Sequence, residues 1–320
     1  MKKSVRIALT AAAAAGIYTA GTFGVMKVLA DIAMNREPPC LHKKNSSARL
    51  TGEKPDAACK AAKKSAAQRL GEAGGEIVTI TSHDGLLLTG HWFPCPDAKR
   101  VILTFHGWRS SWNWDFGLMA DFLRAEGCSV LYVEQRAQHG SEGAYIGFGL
   151  TERYDCVDWV QWAVDRCGAL PIYLMGVSMG ATTVLMAADL KLSGAVRGII
   201  ADSAYTSPRD IWRHVARANL HVPFLAGSVA ADLFCRRRLK AGSGSCSTVT
   251  SLAGASVPVL LIHGEDDRFV PVQMAVRSRN ACASPCRLLV VPKADHASAY
   301  FVDQAACEQA MRDFWAACGA

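Results

Sequence analysis

The chain has 320 residues, half of them hydrophobic, with 27 Gly and 12 Pro. That length suits one large domain with an appendage, and no repeat, heptad or Pro-rich tract points to a fibrous or disordered chain. Its net charge of +7 is unevenly placed: residues 1–75 hold 13 Lys and Arg against 5 acids, a balance of +8, and residues 76–320 sum to −1.

The N-terminus reads as a targeting or anchoring segment. Lys2, Lys3 and Arg6 precede Ile7–Met26, which contains no charged residue. At about 1.5 Å per residue such a stretch spans about 30 Å, the thickness of a bilayer core. A retained membrane anchor is the favoured expectation, with a cleaved signal peptide and then a buried or surface helix as the alternatives. The basic residues before the stretch would keep that end cytoplasmic and send the rest of the chain across, an extracytoplasmic placement; cleavage would instead give a secreted protein. Residues 1–34 are read as the anchor or signal segment and residues 35–75 as a basic linker, for which anionic lipid is the cheapest partner. The basic stretch lacks the aromatic interleaving of a nucleic-acid binder, so nucleic acid is not an expected partner.

From residue 76 the pattern becomes that of a folded domain. Glu76–Thr81 alternates as a strand, Asp84-Gly85 supplies a turn and Leu86–Phe93 returns, which together predict a hairpin. Val101–Phe105 is a short run that is apolar but for Thr104, as in a strand covered on both faces. A helix is expected from about Trp114 to Ala125, then strand Ser129–Val133, helix Tyr154–Cys167, strand Pro171–Met175, helix Ser178–Leu190 and strand Val196–Ala201. Val257–Ile262 and Arg287–Val291 complete the strands, with helices at Val272–Cys282 and Ala299–Cys318. This alternation predicts an α/β fold with a mostly parallel central sheet flanked by helices. The rhythm breaks over about residues 205–256, where a helical cap over a pocket is expected.

The strongest chemical signal is Gly176-Val177-Ser178-Met179-Gly180, set between a strand and a helix. The glycines allow a sharp strand-to-helix turn that lifts a serine hydroxyl to the helix N-terminus. A serine needs a base to take its proton, and the base needs an acid to orient it. Pro292-Lys293-Ala294-Asp295-His296 follows the last strand and offers His296 as the base. His263-Gly264-Glu265-Asp266-Asp267 follows the strand before it and offers the acid. Asp267 is preferred, Asp266 is the runner-up, Glu265 stands third, and Asp202 and Asp295 are outside candidates. Donors for a developing oxyanion would be the backbone N–H groups of Met179 and of Trp108, the latter in the turn Phe105-His106-Gly107-Trp108. His106 reads as a scaffold residue. Trp108, Trp112 and Trp114 suit either an acyl pocket or simple packing.

The twelve cysteines form no CxxC pair, which disfavours a zinc site and leaves disulfides and buried thiols equally open.

Together these motifs resemble the α/β-hydrolase superfamily over roughly residues 76–320, in the branch of serine aminopeptidase-like and lipase- or esterase-like proteins. Gly176–Gly180 looks like its nucleophile elbow, Phe105–Trp108 its oxyanion turn, Ile262–Pro271 its acid loop and Asp295-His296 its base motif. Glu134–Gly143 is similar to its Asp-x-Arg-Gly-His-Gly-x-Ser segment, with Glu134 in place of Asp and Ala137 in place of Gly. The family's Gly-x-x-Asp spacing from Gly264 selects Asp267. The resemblance implies a Ser178–His296–Asp267 triad that hydrolyses a small acyl ester or thioester through an acyl-enzyme, without a metal or organic cofactor. An aminopeptidase or amidase with the same triad, Glu142 reading the substrate amine, is the alternative. A non-catalytic, membrane-tethered binding module on the same fold is a third.

Overall fold

The structure, a computed structural model, describes residues 21, 23–37, 56–219 and 224–319. Eight strands form one sheet in the order β1-β2-β4-β3-β5-β6-β7-β8. They are β1 (Glu76–Thr81), β2 (Leu87–Phe93), β3 (Arg100–Phe105), β4 (Cys128–Val133), β5 (Ile172–Val177), β6 (Val196–Asp202), β7 (Val259–Gly264) and β8 (Cys286–Val291). β1 and β2 form the antiparallel hairpin, β2 runs antiparallel to β4, and every later pairing is parallel. The turn closes as its sequence predicts: Gly85 takes φ +87° and its N–H reaches Ser82 O at 2.9 Å.

Strands β3, β4, β5 and β7 are buried along their whole length, which explains their apolar sequences. Successive side chains alternate between two cores. Leu103, Phe105, Ile172 and Leu174 face one, where Trp159 and Val160 of helix Glu152–Cys167 meet them. Ile102, Tyr173 and Met175 face the other, against Phe116, Phe122, Phe314 and Trp315. Helices therefore cover both faces of a mostly parallel sheet, the α/β architecture expected. The segment after β6 supplies the inserted helical region: Pro208–His214, a π-turn Val215–Asn219, Phe224–Leu239 and Thr248–Leu252. Ser207 caps its first helix by accepting from Asp210 N–H, and Pro208 begins it.

Two of the expected helices are broken, for local reasons. The stretch 112–125 divides into Trp112–Phe116, a 3-10 turn Gly117–Met119, and Ala120–Ala125. At Gly117 a Cβ would lie 2.8 Å from Ala66 C, because helix Ala57–Glu72 packs on that spot. The C-terminal helix is two, Ala299–Val302 and Gln304–Ala317, because Asp303 leaves helical geometry and caps the second by accepting from Ala306 N–H.

The N-terminal expectation is corrected. Residues 7–20 and 22 of the Ile7–Met26 stretch lie outside the described residues. Its described end belongs to a helix over residues 23–34 that lies on the cap. Met26, Ala30 and Met34, four residues apart, form one buried face, and Met26 packs with Ala230 and Ala231. Lys27 pairs with Asp31 at 2.8 Å, and Asp31 also pairs with Arg238. Among the described residues no helix is long and apolar enough to cross a membrane. The reading of a transmembrane signal anchor, with the membrane as partner and a membrane-held extracytoplasmic domain, falls with that finding. Apolar run length does not distinguish a helix facing lipid from one facing protein. The basic stretch is likewise structured where described: helix Ala57–Glu72 buries Ala66, Ala67 and Leu70, and Lys63 donates to Ala297 O at 2.7 Å. The eleven described cysteines are all free.

Candidate active site

The sharp turn between β5 and helix Met179–Met186 holds Ser178 at φ +55° and ψ −113°, a conformation that non-glycine residues avoid. The turn is closed by contacts that leave no space for side chains. A Cβ at Gly176 would lie 2.3 Å from Gly180 C, and one at Gly180 would lie 1.8 Å from Phe105 O. Ser178 N–H donates to Asp202 O at 2.8 Å, which ties the turn to β6.

Three loops at the carboxyl ends of β5, β7 and β8 bring Ser178, Asp267 and His296 together. His296 Nδ1 lies 2.8 Å from Asp267 Oδ2, and His296 Nε2 lies 2.9 Å from Ser178 Oγ. A carboxylate only accepts, so Nδ1 carries the proton toward Asp267 and a neutral ring leaves Nε2 to accept from the serine. Asp267 Oδ1 accepts from Phe269 N–H at 3.0 Å and Val270 N–H at 2.7 Å. Burial opposes the charge of Asp267, but the adjacent His296 and His263 more than offset it and hold the carboxyl well below the usual carboxylate range. Asp266 and Glu265, one and two residues away, are exposed to solvent.

The outside candidates serve the loops. Asp295 Oδ1 accepts from His296 N–H at 2.8 Å, and Asp202 Oδ1 accepts from Ser203 Oγ at 2.9 Å. Ser203 Oγ in turn accepts from Ala297 N–H at 3.1 Å, so β6 steadies the loop that carries His296. His263 is buried and contacts Val270 O at 2.8 Å.

Opposite the serine, the turn after β3 approaches closely: a Cβ on Gly107 would lie 3.4 Å from Ser178 Cβ. Asp115 shapes this turn by accepting from Gly107 N–H and Ser110 Oγ, each at 2.7 Å. Met179 opens its helix, where N–H groups have no partner within the helix and the dipole favours negative charge. His106 is a buried scaffold. It donates through Nδ1 to Gly107 O at 2.8 Å and accepts at Nε2 from Gln135 N–H at 3.2 Å. Burial pushes its pKa down, consistent with that neutral tautomer. Ala137, in the place of the family's glycine, keeps the left-handed backbone at φ +59°, and Glu134 accepts from His91 Nε2 at 2.8 Å and Gly140 N–H at 2.6 Å.

Two cavities meet at Ser178. One, of about 100 Å³, is almost wholly apolar and includes Trp108, Phe148, Tyr205 and Trp212. The other, of about 760 Å³, is a wide polar cleft reaching His296, Lys60, Lys63 and Trp114. Trp112 is core, stacked on His91 with ring centres 4.3 Å apart. Glu142 accepts from Leu87 N–H at 2.8 Å and lines neither cavity. Among the described residues His83, Asp84 and Asp155 could together hold a metal ion, but Arg136 already pairs with both carboxylates.

Sequence reasoning missed the groups that fasten residues 23–37 to this site. Trp108 Nε1 donates to Ala33 O at 2.8 Å, Arg109 donates to Ile32 O at 2.9 Å and to Asn35 O, and Arg36 donates to His139 O at 2.6 Å. Nothing local marks these pairs, which are joined across about 75 to 103 residues of chain.

Residues 101–310 match the Alpha/beta hydrolase family. The chain belongs to that family, and hydrolase activity is the class of function that its family and fold carry. Among its relatives, protein YqkD of Bacillus subtilis is 25% identical over 238 residues, covering 73% of this chain and 77% of the relative. The lysophosphatidylserine lipase ABHD12 of Danio rerio is 27% identical over 183 residues, covering 55% of this chain and 46% of the relative. The solved esterase Pf2001 of Pyrococcus furiosus superposes with a TM-score of 0.60 at 23% identity, covering 75% of this chain and 90% of the esterase.

Proposed function

We propose that the protein is a serine hydrolase that cleaves carboxylic esters, with Ser178 as nucleophile, His296 as base and Asp267 as orienting acid. The relay of 2.9 Å from Ser178 Oγ to His296 Nε2 and 2.8 Å from His296 Nδ1 to Asp267 carries the reading. The name of the ABHD12 relative, a lipase, points to the same bond type.

In this reading Ser178 Oγ attacks the ester carbonyl carbon as its proton passes to His296 Nε2. The carbonyl oxygen becomes an anion stabilised by the N–H groups of Met179 and Trp108. Asp267, held as a carboxylate, stabilises the imidazolium that forms. Collapse breaks the bond to the leaving oxygen, which takes the proton from His296 and departs as the alcohol. A water then gives its proton to His296, attacks the acyl-enzyme, and releases the acid as the proton returns to Ser178.

The test is hydrolysis of p-nitrophenyl acetate and butyrate by the full chain and by Ser178→Ala. Loss of about 10⁴-fold or more in kcat is expected for the variant. Equal rates for the two folded proteins would overturn the assignment.

A further inference from the structure

The apolar cavity beside Ser178 is not enclosed by the sheet and cap alone. Leu29, Ala30, Ile32 and Ala33 of the helix over residues 23–34 line it, facing Trp108 and Trp212 across the space. Bonds near its C-terminal end and the packing of Met26 on the cap hold this helix in place. At its C-terminal end, carbonyls that lack helical partners are met by Trp108 and Arg109, the two residues that follow Gly107 beside the serine. On its cap side Asp31 pairs with Arg238. The helix is thus a fixed wall of the cavity, supplied from outside the residues that match the family.

The two cavities divide the substrate between them. A leaving alcohol takes its proton from His296, and His296 lines the wide cleft and not the apolar cavity. The leaving group therefore lies on the cleft side, where water also enters for the second half of the reaction. The acyl group takes the other side. An apolar cavity of about 150 Å³ accepts a benzene ring, so the 100 Å³ here accommodates about four carbons.

We propose that the helix over residues 23–34 is the specificity wall of the acyl site, and that the substrates are esters of short apolar acids of about four carbons. This rests on the serine-esterase reading above. Ala30 and Leu29 set the depth: a larger side chain at Ala30 fills the cavity, and a smaller one at Leu29 extends it.

The experiment measures kcat/KM of the full chain on p-nitrophenyl acetate, butyrate and octanoate for wild type, Ala30→Leu, Leu29→Ala and Val28→Ala. Val28 is 40% exposed and lines neither cavity, so it controls for general effects on the helix. Wild type is expected to favour butyrate. Ala30→Leu is expected to lower the butyrate-to-acetate ratio at least tenfold, and Leu29→Ala to raise the octanoate-to-butyrate ratio by a similar factor, with Val28→Ala matching wild type in both ratios. Should Ala30→Leu fail to fold, the opposite shift in Leu29→Ala still decides. Ratios unchanged in the folded wall variants, with esterase activity intact, would overturn the wall. A wild type no faster than Ser178→Ala would instead overturn the esterase reading and this inference with it.

Discussion

Gly180 and Asp267 are constrained at the site for opposite reasons. Gly180 is fixed by steric exclusion: an added methyl would meet Phe105 O at 1.8 Å, and that oxygen belongs to the backbone of a central strand. Gly180→Ala is therefore expected to destabilise the fold by about 3 kcal/mol or more. Gly194, where a methyl would meet nothing within 4 Å, is the contrast, and chemical denaturation of both alanine variants would show the difference. Asp267 is fixed by charge. Its carboxyl is lower in the folded chain than the value of about 4 it has when unfolded. A carboxyl shifted in that direction contributes stability that is fully present above about pH 4 and is lost as pH falls toward its folded value. Asp267→Asn is expected to lose less stability than wild type between about pH 4 and pH 3, read as the urea midpoint at each pH. At neutral pH it is expected to lower kcat by about 10³- to 10⁴-fold, because the imidazole loses its orienting charge. Sequence separated Asp267 from Asp266 by a spacing rule alone. The chain gives the same preference a physical basis, since only the buried Asp267 receives two backbone N–H groups and an imidazole.

At the scale of elements, strands were easier to read than helices. A largely apolar run such as Val101–Phe105 follows directly from burial on both faces, and observed β3 differs only by including Arg100. Helix ends depended on contacts distant in sequence, as at Gly117, or on a single cap, as at Asp303. The helix over residues 23–34 was the hardest case. Its apolar face is visible in sequence, but hydropathy carries no information about what covers that face. The groups that settle the matter are Arg109, Arg36 and Arg238, ordinary surface types until the fold brings them to the helix. Arg238→Ala removes the cap-side partner of Asp31 and is expected to speed amide hydrogen exchange over residues 23–34 relative to wild type, with strands β3 and β5 unaffected. Equal exchange in the two proteins would show that the Trp108 and Arg109 bonds suffice.

Across the whole molecule, the alternation of strands and helices and the break near residue 205 were enough to read the α/β class and the inserted helices. What sequence pattern lacked was the distribution of work between the ends of the chain. Trp108 provides one illustration: its backbone sits in the turn facing Ser178, while its indole holds Ala33. The turn beside Ser178 and the helix over residues 23–34 thereby share a residue. On the proposed reading, a chain without residues 23–37 would lose one wall of the apolar cavity and the indole's partner together. A change in that helix therefore reaches the turn beside Ser178 as well as the cavity, through one indole.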